Sequence, residues 1–438
     1  MLKTLSISSK LVLSVAISII MIIAIITTII SMEVSSFSEK EAKDSIFLSS
    51  KRYANYMEGM LNEEVVLTKA MATSLNEIFS EYEQVDINLI ESFLRNTFDS
   101  SGYAAYAFLY LKDPSVLSDT RVKNINFRNP DSKDFAMIFF DETTGKAGGI
   151  KHIKAPEHFS KLEIIQKIEK NARYGDLDTV FIDSPAKLNF DNNEFLGINL
   201  GMPIFNNKGK IIGVVGFTFD FLEISQTILD PKLDFYENGL RILITDQGII
   251  TIHANRNAIL KNLLDFNKDP SSKLIIDAIK DHKDLIIDNY TDSNGRSSYA
   301  SVASFSTLGN SSNWSMVVTA PKESIFTYLY KLQFIILSTA GIVLIIALCI
   351  IFILVRKMIG TRLPILVNSL ERFFHFLNHE KIDLQTIKVT SYDELGKMGK
   401  MINENILATK RGLEQDNQAV KESVQTVSVV EGGNLTAR

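Results

Sequence analysis

The sequence has 438 residues, 46% hydrophobic and 22% charged, with a formal net charge of −5. Its one cysteine, Cys349, excludes a disulfide framework and any cysteine-based zinc site, and the mild acidity argues against a nucleic-acid surface. Apolar residues spread along most of the chain exclude low-complexity disorder, and the length predicts about two to four domains.

Residues 1–10 carry Lys3 and Lys10 and lead into an uncharged run, Leu11 to Met32. A second uncharged run is Leu332 to Val355. At about 1.5 Å per residue, either run as a helix crosses the ~30 Å core of a bilayer. Core helices of soluble proteins rarely extend so far without a charged face. No small-x-small cleavage pattern follows the first run, so it reads as an uncleaved anchor. Arg356, Lys357 and Arg362 follow the second run. The basic flanks predict both termini in the cytoplasm and residues 33–331 outside it. Cys349 falls in the second run and reads as a small apolar residue.

From Glu33 to Tyr82 there is one glycine and no proline. Tyr53, Met57, Met60, Leu67, Met71, Leu75, Ile78 and Tyr82 recur in steps of three, four and seven, which predicts a long amphipathic helix. Its apolar face serves a domain core, a dimer seam, or both. A helix over Ile87 to Phe98 follows, then apolar strands at Tyr103 to Leu111 and Phe135 to Phe140. Next come a helix over Phe159 to Ala172 and strands at Thr179 to Asp183, Phe195 to Phe205 and Ile211 to Phe219. Asn206-Asn207-Lys208-Gly209 joins the last pair as a hairpin. A connector near Asp230-Pro231 leads to a second unit with strands at 241–246, 249–254, 285–290, 298–305 and 314–320, and a helix over Ser272 to Lys280. The predicted class is α/β: two stacked, PAS-like antiparallel-sheet lobes on one long N-terminal helix, the outer lobe about 86–230 and the inner lobe about 239–320.

Beyond the second run, Leu363, Leu366, Leu370, Phe373 and Leu377 make a coiled-coil seam, with Pro364 near the helix start where a missing donor costs least. A connector carries Ile382, Leu384, Ile387 and Val389. Asp393-Glu394-Leu395-Gly396 opens another helix, with Met398, Ile402, Ile406 and Leu413 on one face; acids at a helix start suit the macrodipole. Val420, Val424, Val427 and Val430 then lead into Glu431-Gly432-Gly433-Asn434-Leu435-Thr436-Ala437-Arg438.

The order of these elements resembles the bacterial transmembrane chemoreceptors with a double Cache sensor domain. The carrying residues are Gly209-Lys210-Ile211-Ile212-Gly213-Val214-Val215-Gly216, Ile244 through His253, Asn313-Trp314-Ser315 and Ala320-Pro321-Lys322-Glu323. After the second span, Pro364, the Asp393-Glu394-Leu395-Gly396 run and Asn403 resemble a HAMP relay domain over 356–410, and 411–438 resembles the start of a second such segment. The resemblance implies a homodimer in the inner membrane, no cofactor, and signal relay through Pro364, Asp393, Glu394 and Gly396. It also implies contact with a chemotaxis kinase and adaptor through a C-terminal signalling hairpin, which the 438 residues are expected not to include. The input half of a sensor histidine kinase or nucleotide cyclase, or a membrane-anchored binding protein without output, would share these modules.

No sequence motif for catalysis is found: G-x-x-x-x-G-K-[ST], H-E-x-x-H and G-x-S-x-G are absent. His375 and His379 stand i, i+4 and read as a solvated helix face rather than a metal pair. His152 and His158 flank Ala155-Pro156 and read as loop histidines or proton sensors. In the amino-acid-binding Cache members a cationic and aromatic cluster grips the carboxylate and acids grip the ammonium. This chain has Thr218 where those members carry one acid, and Asp191 in the region of the other. The candidate ligand residues are Tyr106, Lys151, Asp183, Asp191, Asn199 and Thr218, for a small molecule or a ligand-loaded periplasmic binding protein.

Overall fold

The computed structural model describes residues 7–118, 134–156, 159–378, 380 and 382–431. They fall into two compact units, Glu33–Tyr330 and a second made of residues 1–32 with 331–438.

Helix α1 (Ile7–Glu81) runs without a break through both units, as its lack of proline allows. Tyr53, Met57, Met60, Met71 and Leu75 are buried, and Ala54, Leu61, Val65, Ala72 and Phe79 complete the stripe. Tyr82 lies just past the helix end and is exposed. The Asp86 carboxylate accepts from Asn88 N at 2.9 Å and caps α2 (Ile87–Asp99), whose Ile87, Ile90, Leu94 and Phe98 are buried at helical spacing.

The outer lobe is a seven-stranded sheet. Its elements are β1 (Ala104–Leu111), β2 (Phe135–Asp141), β3 (Ile150–Ile153), α3 (Glu163–Asn171), β4 (Phe181–Ile182), β5 (Ala186–Phe190), β6 (Asn193–Phe205), β7 (Ile211–Asp220) and α4 (Phe221–Ile228). The order is β3-β2-β1-β7-β6-β4, with β5 also paired to β6. Every residue of β1 is buried because both faces are covered. Ala107, Leu109 and Leu111 join the core shared with α1 and α2. Tyr106, Phe108 and Tyr110 join a second core with Phe159 and α3. The hairpin at Asn206 forms as expected, with Gly209 N donating to Asn206 O at 2.9 Å. Strands β3 and β5 and helix α4 were not anticipated: they are short, and β3 and β5 interleave polar residues such as Lys151 and Lys187. Gly216 faces Gly201 across β6 and β7, and a Cβ on Gly216 would stand 1.9 Å from Leu200 O.

The inner lobe is a five-stranded sheet built from β8 (Arg241–Thr245), β9 (Ile250–Ile252), α5 (Leu263–Phe266), α6 (Ser272–Lys280), β10 (Leu285–Thr291), β11 (Ser297–Ser306) and β12 (Asn313–Pro321), ordered β10-β11-β12-β8-β9. Trp314 on β12 is 2% exposed and lies 5.7 Å from the ring of Phe221. Helix α7 (Lys322–Val355) continues directly from β12.

Polar side chains on the buried face of α1 tie it to both lobes. Phe205 N donates to Asn76 Oδ1 at 2.7 Å and Asn76 Nδ2 to Pro203 O at 2.9 Å, so this side chain serves the edge of β6 as a neighbouring strand would. Ser101 Oγ donates to Glu64 at 2.6 Å. Glu64 is fully buried, and that burial lifts its carboxyl to about 8. Ser50 and Ser301 share a hydroxyl hydrogen bond of 2.8 Å. Arg241, also buried, donates to Tyr53 Oη at 2.9 Å and to Asp230 O at 3.0 Å, and pairs with Asp234.

In the other unit, α1 and α7 each carry a stretch long and apolar enough to cross a membrane. Gln333 of α7 donates to the Ser31 hydroxyl of α1. A π-helical turn over Arg356–Gly360 separates α7 from α8 (Arg362–Leu377), and α9 (Glu394–Glu431) follows a connector. Leu366, Ile402 and Ile406 form a small core there with Phe373, Leu384, Ile387 and Leu395. Helix α9 is continuous from Glu394 to Glu431, so no break falls near residue 411. His158, His379 and residues 432–438 lie outside the described residues.

Substituting Gly216→Ala is expected to destabilise the chain by about 3 kcal/mol, since the clash is with backbone that cannot move aside. Gly59→Ala on α1, where a Cβ meets nothing within 4 Å, is expected to be neutral or to stabilise by up to about 1 kcal/mol. Chemical denaturation of the two variants measures both.

Candidate functional site

Strand register brings five of the six candidate ligand residues into one line. Lys151 opposes Phe140, Phe140 opposes Tyr106, Tyr106 opposes Thr218, and Thr218 opposes Asn199. Asp183, just after β4, donates its N–H to Asn199 O at 3.1 Å and extends the line by one strand. Opposed residues in antiparallel strands project to the same face. Lys151, Tyr106, Thr218, Asn199 and Asp183 therefore form a transverse row across the outer sheet, on the face that carries α3 and away from α1.

The inner part of the row is a closed hydrogen-bond chain. Thr218 Oγ1 donates to Asn199 Oδ1 at 2.7 Å. Asn199 Nδ2 and N donate to Asp183 at 2.7 Å and 2.6 Å. Thr218 and Asn199 are fully buried and Asp183 is 8% exposed. Burial outweighs the two donated bonds and lifts the Asp183 carboxyl to about 7. Lys167 Nζ donates to Ile182 O at 2.6 Å beside it.

The middle of the row is aromatic. Tyr106 stacks on Phe195 at 5.0 Å, meets Phe190 edge-on at 4.9 Å and lies 5.1 Å from Phe140. Its hydroxyl accepts from Asn193 Nδ2 at 3.0 Å, and burial raises its pKa. Such a cluster offers ring faces and one hydroxyl to a flat or aliphatic group. At the open end, Lys151 is exposed and pairs with Glu142. Asp191 is not in the row. It stands with Asn192 at positive φ (52° and 62°) in the exposed turn between β5 and β6, the geometry of a tight hairpin.

Sequence reasoning missed Asn193, Phe195, Phe190 and Phe140. Alternation within Phe190-Asp191-Asn192-Asn193-Glu194-Phe195 marks a hairpin, and reading it so would have put both phenylalanines beside Tyr106. His152 packs edge-on against Phe139 at 5.7 Å, and burial lowers its pKa. Among the described residues no three His, Cys, Asp or Glu side chains are placed to hold a metal ion.

Of the expected relay residues, Asp393, Glu394 and Gly396 lie together at the start of α9. Asp393 accepts from Gly396 N at 2.9 Å and Ser391 Oγ at 2.7 Å, and pairs with Arg362 at 3.0 Å. It is an N-cap cross-linked to the first residue of α8. Those bonds hold its carboxyl below the usual range. Glu394 is the first residue of α9, and Pro364 is the third of α8. A Cβ on Gly396 would lie 1.9 Å from Ser391 O, so the cap needs glycine there. Asn403 clips the connector, donating to Ile387 O at 2.8 Å and accepting from Ile387 N at 2.7 Å.

Two sheet lobes, a polar-aromatic row and two apolar helices define a membrane-anchored, ligand-sensing receptor with an extracellular sensor domain. The structure is similar to the periplasmic sensory domain of the Campylobacter jejuni chemoreceptor Tlp1, with 34% sequence identity and a TM-score of 0.61, over 66% of this chain and 98% of that one. By that likeness the chain belongs to the bacterial chemoreceptor family and carries its Cache-like periplasmic sensory domain. It also shares its fold with a methyl-accepting chemotaxis protein X (16% identity, TM-score 0.52, 65% of this chain and 99% of that one). The extracellular domain of a protein assigned as a histidine kinase, mmHK1S-Z3, has the same fold (15% identity, TM-score 0.50, 66% and 97%). No family model and no curated protein matches the sequence.

The raised Asp183 carboxyl makes stability depend on pH. Between its unfolded value near 4 and its folded value of about 7, the native state holds a proton that the unfolded chain has released. Stability contributed by this group is therefore full below about pH 4 and lost as pH rises to about 7. Asp183→Asn is expected to flatten that decline relative to the unsubstituted chain, as read by denaturation midpoints across the window.

Proposed function

We propose that the chain is a two-pass receptor of the bacterial cytoplasmic membrane, spanning it with residues 11–32 and 332–355 and holding both termini in the cytoplasm. It senses an extracytoplasmic small molecule, or a ligand-loaded binding protein, through the row on the outer sheet. The observation that carries this reading is the 34% identity to a chemoreceptor sensory domain over nearly its whole length. The basic residues at 3, 10, 356, 357 and 362 support the orientation. The likeness to the histidine-kinase domain extends to the fold alone, so the chemotactic output is preferred.

In this reading residues 356–410 act as a HAMP relay, with Pro364, Asp393, Glu394 and Gly396 setting the helix starts, and 411–438 begins a further relay segment. The functional unit is a homodimer. Phe37, Leu48 and Val66 on α1 support it: they are 68%, 67% and 53% exposed, and steps of 11 and 18 residues return to nearly the same helical angle. A chemotaxis kinase and adaptor would engage a signalling hairpin of the chemoreceptor type, which these residues do not include. Ligand acts by binding one signalling state better than the other, and β12 passes the shift to α7.

The test uses the full chain in lipid nanodiscs, with cysteine pairs introduced across 332–355 of a dimer. Amino acids, small carboxylates and periplasmic binding proteins are screened by thermal shift. A ligand at about 100 times its Kd stabilises by about 2.7 kcal/mol. The expected result is that a stabilising ligand also changes the disulfide crosslinking rate, and that Asn199→Leu abolishes both effects. Crosslinking rates indifferent to every stabilising ligand would overturn the reading.

A further inference from the structure

A cleft of about 920 Å³ lies at the junction of the two lobes, between the β5–β6 hairpin, α4 and the turn that follows β9. That size is within the range of small-molecule sites. Phe195, Phe221 and Leu222 line it from the outer lobe, and Ile259 and Leu260 from the inner lobe. None of the five row residues Lys151, Tyr106, Thr218, Asn199 and Asp183 lines it; the two meet only at Phe195.

The charges in the cleft are unequally matched. Lys187 pairs with Glu194 at 3.4 Å, and Asp230 accepts from Lys232 N at 3.0 Å. Neither Asp230 nor Arg256 forms an ion pair among the described residues, and both line the cleft, so Arg256 is its one cation without a carboxylate partner among them. His253, 5% exposed, accepts from Asn255 N through Nδ1 at 2.8 Å, so its neutral ring carries the proton on Nε2 and can donate from it. Leu260 stands at φ 65°, a conformation that non-glycine residues rarely adopt and that tends to persist at functional sites.

We propose that this junction cleft is a second ligand site, for a small carboxylate with an aromatic or branched apolar body. The rings and aliphatic groups take the body, and the Arg256 guanidinium takes the carboxylate. The occupant would touch two side chains that lead elsewhere. Phe195 stacks on Tyr106 of the row at 5.0 Å, and Phe221 lies 5.7 Å from Trp314 on the strand that enters α7. Occupancy of the cleft therefore bears on both the sensing row and the exit helix.

Trp314 is the chain's single tryptophan and reports on the cleft through Phe221, whose ring lies 5.7 Å away. Phenylacetate, isovalerate and the neutral analogue phenylacetamide are titrated into the full chain in nanodiscs, following Trp314 emission. In parallel, maleimide labelling of Leu222→Cys is followed in a Cys349→Ala background. Saturable binding of either acid is expected, with protection of the introduced cysteine. Affinity should fall at least tenfold in Arg256→Gln and, for phenylacetate, on replacement by the amide. Arg256 is exposed, so the variant is expected to keep the thermal melt of the parent. In Asn199→Leu, which strikes the row, binding should still depend on Arg256 and on the carboxylate, so this site and the row stand or fall separately. Neither acid saturating, or the acid and amide binding alike, or Arg256→Gln binding unchanged, would overturn the proposal.

Discussion

One apolar stripe on α1, from Ala42 to Phe79, is the wall against which both sheets close. The same core cluster holds Met57, Leu61 and Leu75 of the helix, Leu109 and Phe217 of the outer lobe, and Met316 and Val318 of the inner lobe. Neither sheet could bury this face alone, because each is hydrophobic on a side that needs a partner. The helix meets that need twice in one continuous segment. Both lobes therefore share one densely packed core with α1. The same helix continues into the first apolar run, while β12 runs without a loop into α7, which carries the second.

On the other face of the outer sheet, burial beside α3 shapes the chemistry of the lobe. Removing water from Asp183 raises the cost of its charge, and the bonds from Asn199 offset only part of it. Thr218 and Asn199 are useful there because each can donate and accept without carrying charge. The row is thus a buried polar line set in aromatic surroundings, with the Lys151–Glu142 pair at the exposed edge. An outer lobe built this way differs from one that grips a zwitterion with a full set of charges.

Much of the fold was legible in the sequence. β1, β6, β7 and α2 follow from unbroken or periodic apolar runs, since local spacing decides which face a residue takes. Asp393 and Gly396 were legible too, because capping is settled within a few residues. β3, β5 and α4 were not, because short polar segments gain their strand or helix from neighbours supplied by distant parts of the chain. Nothing local to Glu64 or Asn76 marks them as buried; they are held by Ser101, Pro203 and Phe205, farther along the chain. The aromatic companions of Tyr106 depended on the register of β5 with β6, which pairing sets and composition does not.

By itself the sequence determined the two apolar runs, the long helix between them and the first sheet, the order of the two lobes and the helix pair after the second run. Those properties rest on hydrophobic period and on local backbone preference, which act over a few residues at a time. Tertiary structure alone decided that Lys151, Tyr106, Thr218, Asn199 and Asp183 share one row while Asp191 does not. It alone also opened the cleft at Arg256. Both results depend on strand register and lobe packing, which join residues distant in the chain, and no local pattern encodes the distance between them.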